Sequence, residues 1–401
     1  MDTNERERKA ILSILSTALF GNTLELPDHL NWDALFQESI AQAVFPLVFQ
    51  TTRKLLPEDF KQKWEGTFLK ILASNVRVNA AHASLHRLLT EHDIPYVILK
   101  GCASAKYYPA PELRAMGDVD FLVDPKDLDR CAELFEAVGM RRGDDGKHEY
   151  HREYYLHSIE YEMHWSPPGI SAADSEKIRP YYEDIFQQSY FADVSSGSCC
   201  FPSDFHHGLT MLLHTTAHMT TTGIGLRHLC DWAVFVERFS DKAFCECFEA
   251  CLKDIGLWTF AKILTMTSTC FLGGSPKSWA AGINKELAAN LMDDTWYGGN
   301  FGKKDPQRFS YAALMIDRET RKIENRGIIK ALFATVHRKA KIYYPGLTSS
   351  IVLRPIAWAA ICVKYSWRIL TRKRPWMRFG KDTKIAEGRR ELFKQLKLFE
   401  D

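Results

Sequence analysis

Apolar residues recur with helical spacing through the first ninety positions. Ala10, Ile11, Ile14, Leu15 and Leu19 fall on one stripe of a 3.6-residue period. Phe68, Leu69, Leu72, Val76, Ala80, Leu85, Leu88 and Leu89 extend the pattern into a long helix from about Phe60. It stops at Glu91-His92-Asp93, with Pro95 just beyond, a helix-ending sequence. The pattern then changes. Tyr96-Val97-Ile98-Leu99 is a short β-branched and aromatic run that reads as a buried strand. Lys100-Gly101 ends it, and Cys102 to Tyr108 reads as a helix. Val119 to Val123 reads as a second strand, and Pro125 opens a helix to about Val138, closed by Gly139. Tyr154 to Leu156 and Ile159 to Trp165 read as two further strands joined by a tight turn. Helical periodicity returns at Phe205–Met219, Leu226–Phe239, Lys242–Lys253 and Trp258–Phe271, and the glycines from Gly298 to Gly302 with Asp305-Pro306 mark a loop. Strands set among helices predict a small α/β or α+β core.

Composition narrows the class. The 401 residues are 46% hydrophobic and 25% charged, which excludes a disordered, collagen-like or disulfide-stapled chain. At about 150 residues per domain the length suggests two or three domains. The expected division is a helical region over 1–92, a core over 93–200, a helical domain over 201–317 and a basic helical segment over 318–401. The net charge of +2 hides an asymmetry, because residues 318–401 carry 21 Lys+Arg against 7 Asp+Glu. The ten cysteines have no paired spacing and the N-terminus is charged, so a reducing, cytoplasmic address is expected.

The most apolar stretch, Ile351 to Leu370, is broken by Arg354, Pro355, Lys364 and Arg368 and falls short of the roughly 18 apolar residues of a membrane span. It carries Trp358, Tyr365 and Trp367, and Arg372, Lys373, Arg374 and Arg378 follow. Two readings stand: a packed terminal helix with a solvated basic tail, or a segment over 351–378 lying peripherally on the anionic inner membrane surface. Nucleic acid ranks below both, because no nucleic-acid motif accompanies the charge.

The sharpest chemical feature is Gly117-Asp118-Val119-Asp120-Phe121-Leu122-Val123. Aspartates two apart on a strand share a face. Like charges that close need a cation, and hard divalent ions take carboxylate oxygens. An Asp-x-Asp alone also fits a plain strand entry, so context decides. Upstream, Leu99-Lys100-Gly101-Cys102-Ala103-Ser104 sets a glycine between a strand and a helix start, where exposed backbone N–H groups suit phosphate. Downstream, Ile159-Glu160-Tyr161-Glu162-Met163-His164-Trp165 puts Glu160, Glu162 and His164 on one strand face. Arg114 reads equally as a phosphate contact or an ion-pair partner. His214 and His218, four apart, share a helix face that backs the site and can present a histidine to substrate. Arg227 and Asp231, also four apart, read as an intrahelical ion pair.

Together these residues resemble the DNA polymerase β-like nucleotidyltransferases. More narrowly, the run from Tyr96 to Ala103, Tyr107-Tyr108-Pro109, Arg114, the Gly117–Val123 strand, Glu162-Met163-His164-Trp165 and Leu226-Arg227-His228-Leu229-Cys230-Asp231 are similar to a bacterial family of uncharacterised nucleotidyltransferases, over roughly residues 75–310. The resemblance implies an α+β fold: a small mixed sheet flanked by N-terminal and C-terminal helical regions, whose helices wall the acceptor site. It implies an Mg2+-dependent enzyme, with two ions, moving a nucleoside monophosphate from an NTP, ATP first among them, to an unidentified acceptor. Asp118, Asp120 and Glu162, with Glu160 in reserve, are then the catalytic metal ligands. Lys100, Gly101, Cys102, Ser104 and Arg114 are the nucleotide contacts, and Glu160, His164, His214 and His218 are possible substrate contacts. Lys-Gly-Cys stands where the superfamily usually has Gly-Ser. That departure supports an alternative, a non-catalytic nucleotide-binding or membrane-associated regulatory protein on the same fold.

Overall fold

A computed structural model describes residues 3–143, 151–167, 175–194, 197–305, 308, 328–370 and 379–399. The predicted N-terminal helices are present as α1 (Thr3–Phe20), α2 (Trp32–Ala41), α3 (Phe45–Thr52) and the 34-residue α4 (Glu58–Glu91). The stripe from Ala10 to Leu19 is buried. Asn31 caps α2 by accepting from the Ala34 amide at 3.0 Å, satisfying one of the orphan donors of a helix start.

The central segment alternates strand and helix: β1 (Tyr96–Ile98), α5 (Cys102–Ala105), β2 (Asp118–Val123), α6 (Leu128–Ala137), β3 (Arg141–Arg142), β4 (His151–Leu156) and β5 (Ile159–His164). They form a five-stranded mixed sheet in the order β1-β2-β5-β4-β3, in which β2 and β5 run parallel and every other pair antiparallel. The helix expected over Cys102–Tyr108 is a single turn. Beyond it the Tyr107 hydroxyl donates to Asp204 and the Tyr108 hydroxyl donates to Asp231 at 2.7 Å. Those tertiary bonds hold the chain off the helical path.

A short helix, α7 (Ser175–Ile178), leads to a hairpin of β6 (Tyr190–Val194) and β7 (Gly197–Phe201). The sequence pattern did not show this hairpin. Strand β6 is largely exposed, so no alternation of apolar and polar residues marks it. The predicted second group of helices follows as α8 (Asp204–Met219), α9 (Leu226–Glu237), α10 (Asp241–Phe244), α11 (Ala250–Asp254) and α12 (Trp258–Leu272), and a further helix that the periodicity did not mark, α13 (Lys285–Gly298), comes after them. Helix α8 is buried nearly all round. A Cβ at Gly208 would lie 2.6 Å from Phe235 and 2.7 Å from Phe248, so only glycine lets those rings close on it.

One contiguous apolar cluster joins α1–α4, the sheet and α8–α13. The C-terminal helices divide. Those over 328–343, 345–349 and 354–370 share a small cluster of their own around Ala340, Ala357 and Ile361. The helix over 379–396 contributes Leu392, Phe393 and Leu396 to the main cluster. Residues 371–378, the basic end of the expected membrane segment, lie outside the described residues.

Candidate active site

Parallel pairing of β2 with β5 sets Asp118 opposite Glu160 and Asp120 opposite Glu162. Two residues per strand repeat puts all four acids on one face. Carboxylate oxygens of Asp118, Asp120 and Glu162 lie within 4.8 Å of one another. Glu160 is held aside, its carboxylate 2.9 Å from the Tyr155 hydroxyl. Asp120 is almost fully buried, with 1% of its surface exposed. Repulsion from Asp120, then burial, raises the Asp118 pKa. Burial also works to raise that of Glu162, but hydrogen bonding from His164 and the charge of Lys100 outweigh it and hold the carboxyl at about 2.

Two basic side chains answer these acids. Antiparallel pairing of β1 with β2 carries the chain past Asp120, where the Leu99 amide donates to the Asp120 carbonyl at 2.9 Å. Lys100 follows, and its Nζ lies 2.6 Å from Asp120 Oδ1 and 4.0 Å from Glu162 Oε2. His164 Nε2 lies 3.3 Å from Asp120 and 3.2 Å from Glu162; since carboxylates only accept, that nitrogen carries a proton. Burial works to lower the pKa values of both Lys100 and His164, and the neighbouring acids more than reverse it. Lys100 Nζ also donates to His214 Nε2 at 3.3 Å, and that same nitrogen lies 2.8 Å from His218 Nε2. An ammonium has no acceptor, so His214 Nε2 is unprotonated and His218 Nε2 donates to it. Burial, then Lys100, pushes both histidines down, His218 to about 3.

Gly101 turns the chain with φ +63°, and a Cβ there would sit 3.3 Å from the His82 ring. Arg114 closes the far side. Its Nε and Nη2 each lie 2.7 Å from an Asp231 oxygen, and Nη1 donates to the Gly101 carbonyl at 3.2 Å. The expected Arg227–Asp231 pair is therefore corrected: Asp231 faces Arg114 across the molecule, and Arg227 donates to the Ala115 carbonyl at 3.3 Å. Asn75 on α4 clamps the same loop, its side chain bonding the Glu112 and Arg114 carbonyls and the Met116 amide.

These groups open on a cavity of about 300 Å³. Lys100, Gly101, Ser104, Asp118 and Asp120 line it, and Arg114 and His214 reach its wall. Cys102 is buried in the core, and the Ser104 hydroxyl lies 3.3 Å from His207 Nε2. His218 packs behind, 4.6 Å from the Phe301 ring. His228, Phe301 and Lys303, none of them expected as a site residue, also line the cavity, as does Arg227, expected only in an ion pair. The Arg227 guanidinium lies 5.2 Å from the Phe301 ring centroid. Phe301 holds φ +55°, a strained backbone for a bulky residue. The glycines around residue 300 were the only available signal.

As donors the three carboxylates are hard and acidic, which fits Mg2+ or Mn2+. Glu162 and His164 also group with His151, whose ring centroid is 5.0 Å from that of His164. Nitrogen donors there extend the fit to Mn2+ and Zn2+.

A family described as an uncharacterised nucleotidyltransferase matches residues 28–273. The chain belongs to this family. It is thus a nucleotidyltransferase, a transferase of phosphorus-containing groups. The match begins in the N-terminal helices, earlier than the sequence resemblance suggested, and ends at Gly273, before the Phe301 loop. No curated protein is significantly similar to the chain. No helix among the described residues is long and apolar enough to cross a membrane.

Proposed function

We propose that this nucleotidyltransferase moves a nucleoside monophosphate from an NTP to an acceptor hydroxyl, releasing pyrophosphate, within the polymerase β-like superfamily. The observation that carries the reading is the convergence of the Asp118, Asp120 and Glu162 carboxylates, with the two aspartates lining the cavity and Glu162 beside them. Those three would hold two Mg2+ ions, whose chemistry is to neutralise the triphosphate and activate the attacking oxygen. The protein's own part is positioning and charge. The β1–α5 turn, with Lys100, Gly101 and Ser104, faces the triphosphate. Glu162, held ionised well below neutrality, suits cation holding better than proton abstraction. Arg114 and Asp231 brace the turn, with Cys102 behind it in the core. Arg227, His214 and Phe301 form the opposite wall, where helices outside the 93–200 core meet the acceptor: a small hydroxylated molecule, a sugar intermediate or a protein side chain. ATP is the proposed donor and the cytoplasm the proposed location.

The test uses each NTP labelled at the α-phosphate, with Mg2+ and with or without a cell extract. Label is expected to move to a new species with the native protein and not with Asp118→Ala/Asp120→Ala. Equal transfer by the variant overturns the reading. The Lys100–Asp120 ion pair at 2.6 Å supports a second reading, a non-catalytic nucleotide-binding protein in which the ammonium replaces a metal. Tight NTP binding indifferent to Mg2+, with no transfer, would select it.

A further inference from the structure

The helical hairpin over 328–370 has more apolar surface than it uses. Its helix over 354–370 buries Ala357 and Ile361 toward its neighbours. A second stripe faces outward: Ile356, Ala359, Ala360, Val363 and Trp367. They stand at i, i+3, i+4, i+7 and i+11, one continuous face of a helix. Ile356 and Val363 are 57% and 69% exposed, and Trp367 is 67% exposed. The turn leading into the helix is Ile351-Val352-Leu353, with Ile351 76% and Val352 81% exposed. An apolar tip and stripe so arranged mark an interaction surface.

The sequence around this face is cationic. Residues 318–401 carry 21 basic side chains against 7 acidic ones, and Arg368, Arg372, Lys373, Arg374 and Arg378 follow the stripe in sequence. The hairpin's small cluster is separate from the main core, so its stability does not require the outward stripe to be covered by the body of the protein. Lys364 reaches back over the Tyr343 ring, 3.7 Å from its centroid, lying along apolar surface with its charge available at the rim. We propose that this face docks on an anionic lipid bilayer, with Ile351–Leu353 and the Ile356–Trp367 stripe entering the headgroup–acyl boundary and the basic residues meeting lipid phosphates. The helix then lies in the plane of the surface rather than crossing it. Nucleotide transfer would occur beside a membrane, whatever its acceptor. This inference does not depend on the transfer reaction.

The test is flotation of the full chain with vesicles of phosphatidylcholine alone, or of phosphatidylcholine and phosphatidylglycerol in equal parts. Binding to the anionic vesicles is expected to exceed binding to the neutral ones by at least about tenfold and to weaken with salt. Ile351→Glu/Val352→Glu, at exposed turn positions, is expected to cut binding by at least about tenfold with an unchanged circular dichroism spectrum. Trp367→Ala is an independent second variant with a smaller loss. Equal binding to both vesicles, or none, overturns the proposal. So does retention by both variants together with binding to an RNA duplex of comparable strength, which would mark a nucleic-acid surface. A wild-type dimer by light scattering that dissociates in Ile351→Glu/Val352→Glu, with no vesicle binding, would assign the face to self-association instead.

Discussion

The two walls of the cavity treat buried charge in opposite ways. On the helical wall Arg114 and Asp231 make a bidentate pair at 2.7 Å, and Tyr108 donates to the same carboxylate. The histidines beside them are kept neutral, as burial lowers His214 and His228 well below their usual value. On the strand wall three carboxylates crowd within 4.8 Å, and repulsion raises Asp118. Lys100 and His164 answer only part of that charge. A satisfied buried pair is architecture, and its loss is felt as stability. A strained, incompletely compensated cluster is where chemistry is placed.

The largest expected effect tests the strand wall. Asp118→Ala should lower nucleotidyl transfer by at least about a thousandfold, while its melting temperature stays level or rises as repulsion with Asp120 is relieved. Lost activity together with a lowered melting temperature would make Asp118 structural and erase the contrast. Asp231→Ala should do the reverse on the helical wall. Leaving Arg114 buried without its partner should cost about 3–5 kcal/mol in urea unfolding; a loss below about 1 kcal/mol would show that the pair is not architectural.

Gly101→Ala sits between the walls. Its φ of +63° and the His82 ring at 3.3 Å predict a loss of about 1–3 kcal/mol, with weaker NTP binding in equilibrium dialysis. Acid should then act chiefly on the helical wall. Burial lowers His207 and His218 to about 3, against an ordinary value of 6.5. Between those values the unfolded chain binds protons that the folded one refuses, so stability falls as pH drops below about 6.5. His218→Phe should flatten that slope by up to about 1.4 kcal/mol per pH unit, read from unfolding at a series of pH values; an unchanged slope would mean His218 titrates normally. The smallest effect sharpens the strand wall itself. Glu160→Gln should change transfer by less than about tenfold, because Tyr155 holds that carboxylate at 2.9 Å, whereas Glu162→Gln should change it far more. Equal losses would place Glu160 in the same role.

Local pattern carried much of this molecule. The helical stripe of α1, the length of α4 and the acidic faces of β2 and β5 all follow from periodicity, because each is a property of residues close in sequence. Same-face placement of Asp118 with Asp120, and of Glu160 with Glu162, needed only the two-residue repeat of a strand. What that repeat left open was which glutamate meets the aspartates. Register between β2 and β5, and the Tyr155 hydroxyl, answered it. The β6–β7 hairpin escaped notice because its exposed strand lacks an apolar face.

The sequence by itself determined the element types around the site, the acidic character of β2 and β5, and the cationic, apolar nature of residues 351–378. Tertiary structure alone decided that Lys100 lies on Asp120, that Asp231 takes Arg114 rather than the nearby Arg227, and that Phe301 and Lys303 reach a cavity nearly two hundred residues upstream of them. The physical reason is range. Backbone periodicity is set by neighbours a few positions apart, while charge partners and cavity walls depend on which distant elements pack together, and that is fixed only when the whole core closes.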